Sequence, residues 1–144
     1  MSNRPRIIEL RIPTERRFEK VAVASAVGVA RQMGFPQERV EDIKTAVSEA
    51  VLNAIEHSES EGPGRKIQVA FFEEASRLRI DVTDQGAGFE PDKVKTPRIE
   101  DKLAPEASKR GWGLYLIQRL VDEYGIEAVE GQGNTISMVI HLKP

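Results

Sequence analysis

Ile67-Gln68-Val69-Ala70-Phe71 and, a few residues on, Leu78-Arg79-Ile80-Asp81-Val82-Thr83-Asp84-Gln85-Gly86-Ala87-Gly88-Phe89 are the stretches on which the fold turns. Ile67, Val69 and Phe71 alternate with other residues, as do Leu78, Ile80 and Val82, and a period of two marks half-buried strands. Two such runs so close together read as an antiparallel pair. The second delivers the chain into Asp84 and then Gly86 and Gly88, whose missing side chains permit backbone angles that other residues avoid.

Upstream of the pair the period changes to that of helices. Val40, Ile43, Val47, Ala50 and Ala54 form the buried stripe of a helix whose start suits Pro36. Before it, Phe18, Val21, Ala22, Ser25 and Val29 mark another helix, with Thr14 as its cap and Gly34 at its C-terminal end. Ile8, Leu10 and Ile12 alternate in an opening strand that stops at Pro13. Downstream, Glu90 to Arg110 contains Pro91, Pro97 and Pro105, mixed charge and little periodicity, which suits a lid. Gly111-Trp112-Gly113 is expected to open a third helix with Leu114, Ile117, Leu120, Val121 and Tyr124 on its core face, ended by Gly125. Ile126–Glu130 and Thr135–Leu142 make a closing hairpin across Gly131-Gln132-Gly133-Asn134. Helices with mostly antiparallel strands, and no regular alternation of the two, predict an α+β two-layer sandwich: a mostly antiparallel mixed sheet with helices on one face.

Composition bounds the partners. The 144 residues suit one domain, 1–144, and 40% hydrophobic with 31% charged residues is ordinary for a soluble protein. Absence of cysteine and of a long apolar run implies a reducing, cytoplasmic setting and no membrane span. The net charge of -2 provides no broad basic field for direct nucleic-acid binding.

Three groups of residues carry chemistry. Glu49 and Asn53 lie four apart and project from one helical face, away from Val47, Ala50 and Ala54. Their oxygens suit Mg²⁺, which takes few protein groups when phosphates supply the rest. Glu49 is equally suited to act as a base, and a solvated polar face is the bland alternative. Asp84 can accept an N–H from a flat heterocycle such as adenine while Gly86 and Gly88 let the ring approach, or it can simply begin a turn. Lys109-Arg110-Gly111-Trp112-Gly113-Leu114 sets two cations ahead of a helix, where free N–H groups favour phosphate; Trp112 serves equally as a plug over the core. His57, one turn beyond Asn53, is placed to approach phosphates or merely to pack, and His141 is expected to be exposed.

These boxes, in this order, resemble the GHKL ATPase superfamily. Glu41-Asp42-Ile43-Lys44-Thr45-Ala46-Val47-Ser48-Glu49-Ala50-Val51-Leu52-Asn53-Ala54-Ile55-Glu56-His57, with Gly113-Leu114-Tyr115-Leu116-Ile117 and Leu120-Val121-Asp122-Glu123, is similar to the RsbW-like bacterial anti-sigma factors that are serine-protein kinases. The resemblance implies a Bergerat-type fold that uses ATP and Mg²⁺. Asn53 would hold the metal, Asp84 would read the adenine amino group, and Gly86, Gly88 and the Lys109–Leu114 segment would line the nucleotide. Glu49 would be the catalytic base. Thr135 would close the adenine side, next to Asn134, where the family more often has threonine. The implied partners are a sigma factor and its anti-sigma factor antagonist, whose serine would be phosphorylated, with the kinase itself a homodimer. Two other readings are a nucleotide-dependent binding module without kinase activity and a detached histidine-kinase catalytic domain.

Overall fold

The computed structural model describes residues 4–59, 64–84, 107–129 and 133–142, except for the side chains of residues 59, 107–111 and 129. Gly86, Gly88 and residues 90–106 of the expected lid lie outside this set.

Five strands, β1 (Arg6–Pro13), β2 (Lys66–Glu73), β3 (Arg77–Asp84), β4 (Glu123–Val129) and β5 (Gly133–His141), form one sheet in the order β1-β2-β3-β5-β4. Every neighbouring pair is antiparallel, which corrects the expectation of a mixed sheet. The short β2–β3 and β4–β5 connections can join antiparallel strands only, since a parallel pair needs a long crossover. The register aligns Phe71 with Ile80 and Ile80 with Met138, and likewise Val69 with Val82 and Val82 with Ile136. All six are buried, so the alternation read from sequence becomes continuous apolar rows beneath the helices. Complete burial of such a side chain contributes about 1.5–3 kcal/mol. Among the described strand residues the exposed large apolar side chains are Ile7 and Ile8, at the start of β1, while Ile12 further along is 2% exposed.

Helix α1 (Glu19–Met33) is entered through a 3-10 turn, Arg16–Phe18, and not through Thr14. The backbone N–H of Phe18 donates to Glu15 O at 3.0 Å, so the turn itself satisfies an end group that a side-chain cap would otherwise take. Its core stripe is Ala22, Ala26, Val29 and Ala30. Val21 is exposed, because the apolar spacing in this helix spans two adjacent faces and only the alanine face meets the core. Gly34 closes α1 with φ 94°, while the N–H of Phe35 reaches Ala30 O at 3.1 Å. Left-handed backbone is costly for residues with a Cβ, so Gly34→Ala is expected to destabilise the fold by about 1 kcal/mol. Urea unfolding should show a lower midpoint at unchanged slope.

Helix α2 (Gln37–Glu59) begins directly after Pro36, whose carbonyl accepts the N–H of Val40 at 3.0 Å. Val40, Ile43, Val47, Ala50 and Ala54 are all buried, as their spacing predicted. This central helix packs against α1, β2, β3 and a third helix, α3 (Ala107–Leu120).

Two corrections concern α3. Gly111-Trp112-Gly113 lies inside it and does not open it, since α3 already includes Ala107. Residues 107–110, assigned from sequence to the lid, are therefore helical. At the other end Tyr124 and Gly125 belong to β4, because the N–H of Asp122 already donates to Val139 O at 2.9 Å and Tyr124 pairs with Met138. Tyr124 still packs on the core, but as a strand residue.

Candidate active site

Glu49 and Asn53 are both half-buried on α2, one turn apart. Opposite them stands α3. A Cβ built on Gly113 would lie 2.9 Å from Glu49 Oε2, so the carboxylate occupies the space that the glycine leaves. That contact accounts for a glycine in the middle of a helix, where it costs roughly 1 kcal/mol of propensity. Glu49 ionises less readily than an ordinary carboxyl: burial is the main cause, with the negative charges of Glu56 and Glu19 adding to it. Glu19, on α1, accepts a hydrogen bond from Ser48 Oγ, and Glu56 accepts one from Arg16 at 3.4 Å.

Gly113→Ala tests this packing. The methyl group would displace the far end of a flexible side chain and no backbone, and Gly113 does not have a positive φ. We expect stability to rise, by up to about 1 kcal/mol. Any reaction that needs the present position of the Glu49 carboxylate should slow in the same protein. Thermal unfolding and turnover measured side by side would reveal these opposite signs.

Asp84 ends β3 and is 4% exposed. Its neighbour across the sheet is Asn134, 2% exposed, whose Nδ2 donates to the Asp84 carboxylate at 3.3 and 3.4 Å. Both point to the helical side, since Asp84 continues the row of Ile80 and Val82, and Asn134 that of Ile136. Thr135, one residue on, faces the opposite side and its hydroxyl lies 2.9 Å from that of Thr83. The structure thus does not bring Thr135 to the site, and Asn134 stands beside Asp84 instead. Strand parity was the signal: a period of two that places Ile136 and Met138 inward also places Asn134 inward and Thr135 outward.

The other expected residues are less uniform. Trp112 is half-buried and meets Tyr115 edge-on, with ring centroids 5.5 Å apart. Leu114 is 3% exposed, and its side chain belongs to the core. Lys109, Arg110 and Gly111 lie within α3 and not ahead of it. His57 is half-buried on α2. His141, also half-buried at a strand end, has Nε2 3.0 Å from a Glu123 oxygen.

An antiparallel sheet covered on one face by three helices, with a polar helix pair and a buried strand-end carboxylate, is the architecture of an ATPase domain of the histidine kinase type. The family described as Histidine kinase-like ATPase domain matches residues 13–140. The serine-protein kinase RsbW of Bacillus velezensis is 32% identical over 145 residues, covering 99% of this chain and 89% of that protein. RsbW of Oceanobacillus iheyensis is 33% identical over 122 residues, covering 83% and 77%. Among solved structures, the RsbU and RsbW domains of Rv1364c from Mycobacterium tuberculosis superpose with TM-score 0.67 at 20% identity, over 94% of this chain and 32% of that one. The blue-light activated histidine kinase EL346 of Erythrobacter litoralis gives 0.59 at 21%, over 91% and 42%. The chain belongs to the histidine kinase-like ATPase family and, within it, to the RsbW serine-protein kinases. Among the described residues no helix is long and apolar enough to cross a membrane.

Proposed function

We propose that this ATP-using serine-protein kinase phosphorylates a serine of an anti-sigma factor antagonist, and that in its other partnership it holds the sigma factor which that antagonist would release. One observation carries the catalytic part: Glu49, half-buried against Gly113 and one turn from Asn53, is a carboxylate with raised proton affinity. A base of that kind can take the proton of a serine hydroxyl as its oxygen bonds to the γ-phosphorus and the bond to the β-phosphate oxygen breaks, leaving ADP. Phosphoserine and a protonated Glu49 are the products, and the proton then passes to solvent.

Asn53, by its carboxamide oxygen, would hold Mg²⁺, a hard ion that takes few protein groups when phosphates supply the rest. The ion would offset charge on the phosphates. Lys109 and Arg110 would add positive charge to balance the transferring phosphate. Asp84, supported by Asn134, would accept the adenine amino group, with Gly86, Gly88, Gly111 and Gly113 lining the nucleotide. A homodimer in the cytoplasm completes the proposal, which here follows the family resemblance alone.

The experiment is incubation with γ-labelled ATP and antagonist proteins encoded beside the gene. Label should appear on a single serine of one of them. Label on none, with ATP bound all the same, would refute the kinase reading and favour a binding module.

A further inference from the structure

Leu120-Val121-Asp122-Glu123 and the Glu41-Asp42 start of the helical signature have no part in the chemistry above, yet one side chain joins them. Arg39 lies in the first turn of α2, where a cation opposes the helix dipole. Its guanidinium donates from Nη1 to Asp42 at 2.8 Å and to the carbonyl of Leu120, the last residue of α3, at 3.2 Å. From Nη2 it donates to Asp122 at 2.8 Å, and the same Asp122 oxygen accepts the backbone N–H of His141 at 2.8 Å. A fork of fixed geometry therefore ties the start of α2, the end of α3 and strand β5 to one point. The unfavourable place on α2 is offset by two carboxylates and by the negative end of α3.

Contacts between α2 and α3 occur at two levels. Arg39 grips Leu120, and ten residues along α2 the Glu49 carboxylate lies against Gly113, seven residues back along α3. The helices run antiparallel, so sliding or tilting α3 at the Arg39 end moves Gly113 relative to Glu49. We infer that Arg39 is a positioning residue that sets the seat of α3, and through it the place of the Glu49 carboxylate. The inference rests on Glu49 being the base only for its effect on turnover, because the seating itself can be read without any reaction.

The test compares wild type with Arg39→Ala, Arg39→Lys and Asp122→Asn, at a temperature where all are folded. The Glu49 carboxyl is followed by carbon NMR during a pH titration, and phosphoryl transfer is measured on the same samples. Glu56 on α2 and Glu19 on α1 are the other acidic groups that raise it, and neither moves with α3. Loosening α3 admits water, so the Glu49 midpoint should fall toward the ordinary carboxylate range in Arg39→Ala. Asp122→Asn should shift it in the same direction, and the Arg39→Ala/Asp122→Asn double variant no further than Arg39→Ala alone. Lysine, a single point of charge, should restore part of the shift. In a chain active as a kinase, kcat should drop about tenfold while KM for ATP stays within about twofold.

A lowered melting temperature with the Glu49 midpoint unchanged would overturn the inference, leaving Arg39 a plain staple. If wild type transfers no phosphate but the midpoint still moves, the kinase reading fails and the seating role stands.

Discussion

Glu49→Gln is expected to cut phosphoryl transfer to the partner serine by about 10²–10⁴-fold, the range a positioned general base supplies, while ATP binding changes little. Glutamine keeps the length and shape that fill the space beside Gly113, and it loses the negative charge and with it the ability to accept a proton at neutral pH. The same substitution should stabilise the protein. Because Glu49 ionises at a higher pH in the fold than in the unfolded chain, its contribution to stability is fully present below the ordinary carboxylate range. That contribution is lost as pH rises through the raised value. At neutral pH the ionised carboxylate is thus a net burden, through burial and through Glu56 and Glu19. Glutamine removes the charge, so Tm should rise by a few degrees at pH 7, and the gain should shrink as pH falls through the carboxylate range. For the wild type, the acid limb of kcat should likewise lie above that of an ordinary carboxylate, since the base must be ionised to act. Retention of transfer by Glu49→Gln would remove Glu49 from the chemistry.

What could be read from sequence, and what could not, divides along physical lines. The α2 stripe and the inward rows of β2, β3 and β5 were legible because burial imposes one period on each element, and every residue assigned to α2's stripe is buried. Glycine was the misleading signal. At Gly34 it marks a helix end because the backbone there is left-handed, whereas at Gly113 it sits within a helix because a carboxylate from another helix fills its place. That second use depends on a partner 64 positions away, and local pattern holds no trace of it. Thr135 failed differently: resemblance suggested a hydroxyl near the adenine side, and the alternation of β5 already argued against it. Arg39 was invisible for the same reason as Gly113, since its acceptors Leu120 and Asp122 come from the far end of the chain.

Asp84→Asn is expected to weaken ATP binding by about 10–100-fold and to erode discrimination between ATP and GTP. Asp84 and Asn134 are both buried, and the carboxamide nitrogen of Asn134 donates to both oxygens of Asp84. An ionised carboxylate only accepts, at about four sites, so it can serve the amide and a purine amino group together. Asparagine has one oxygen and one NH₂ group. If its oxygen faces Asn134, its NH₂ faces the amino group of adenine; if it flips, NH₂ meets NH₂ within the sheet. Either way a buried donor confronts a donor, a loss of about 1–3 kcal/mol, which corresponds to the stated range in affinity. Guanine carries an oxygen where adenine carries the amino group, and an NH₂ at position 84 can donate to it. GTP binding should therefore weaken less than ATP binding, or strengthen, and the ratio of the two dissociation constants is the quantity to measure. The substitution preserves shape and removes a buried charge, so the fold should persist, as circular dichroism and thermal unfolding would verify. A variant that keeps both the affinity for ATP and the preference over GTP would show that Asp84 reads no base and merely pins β3 to β5 through Asn134.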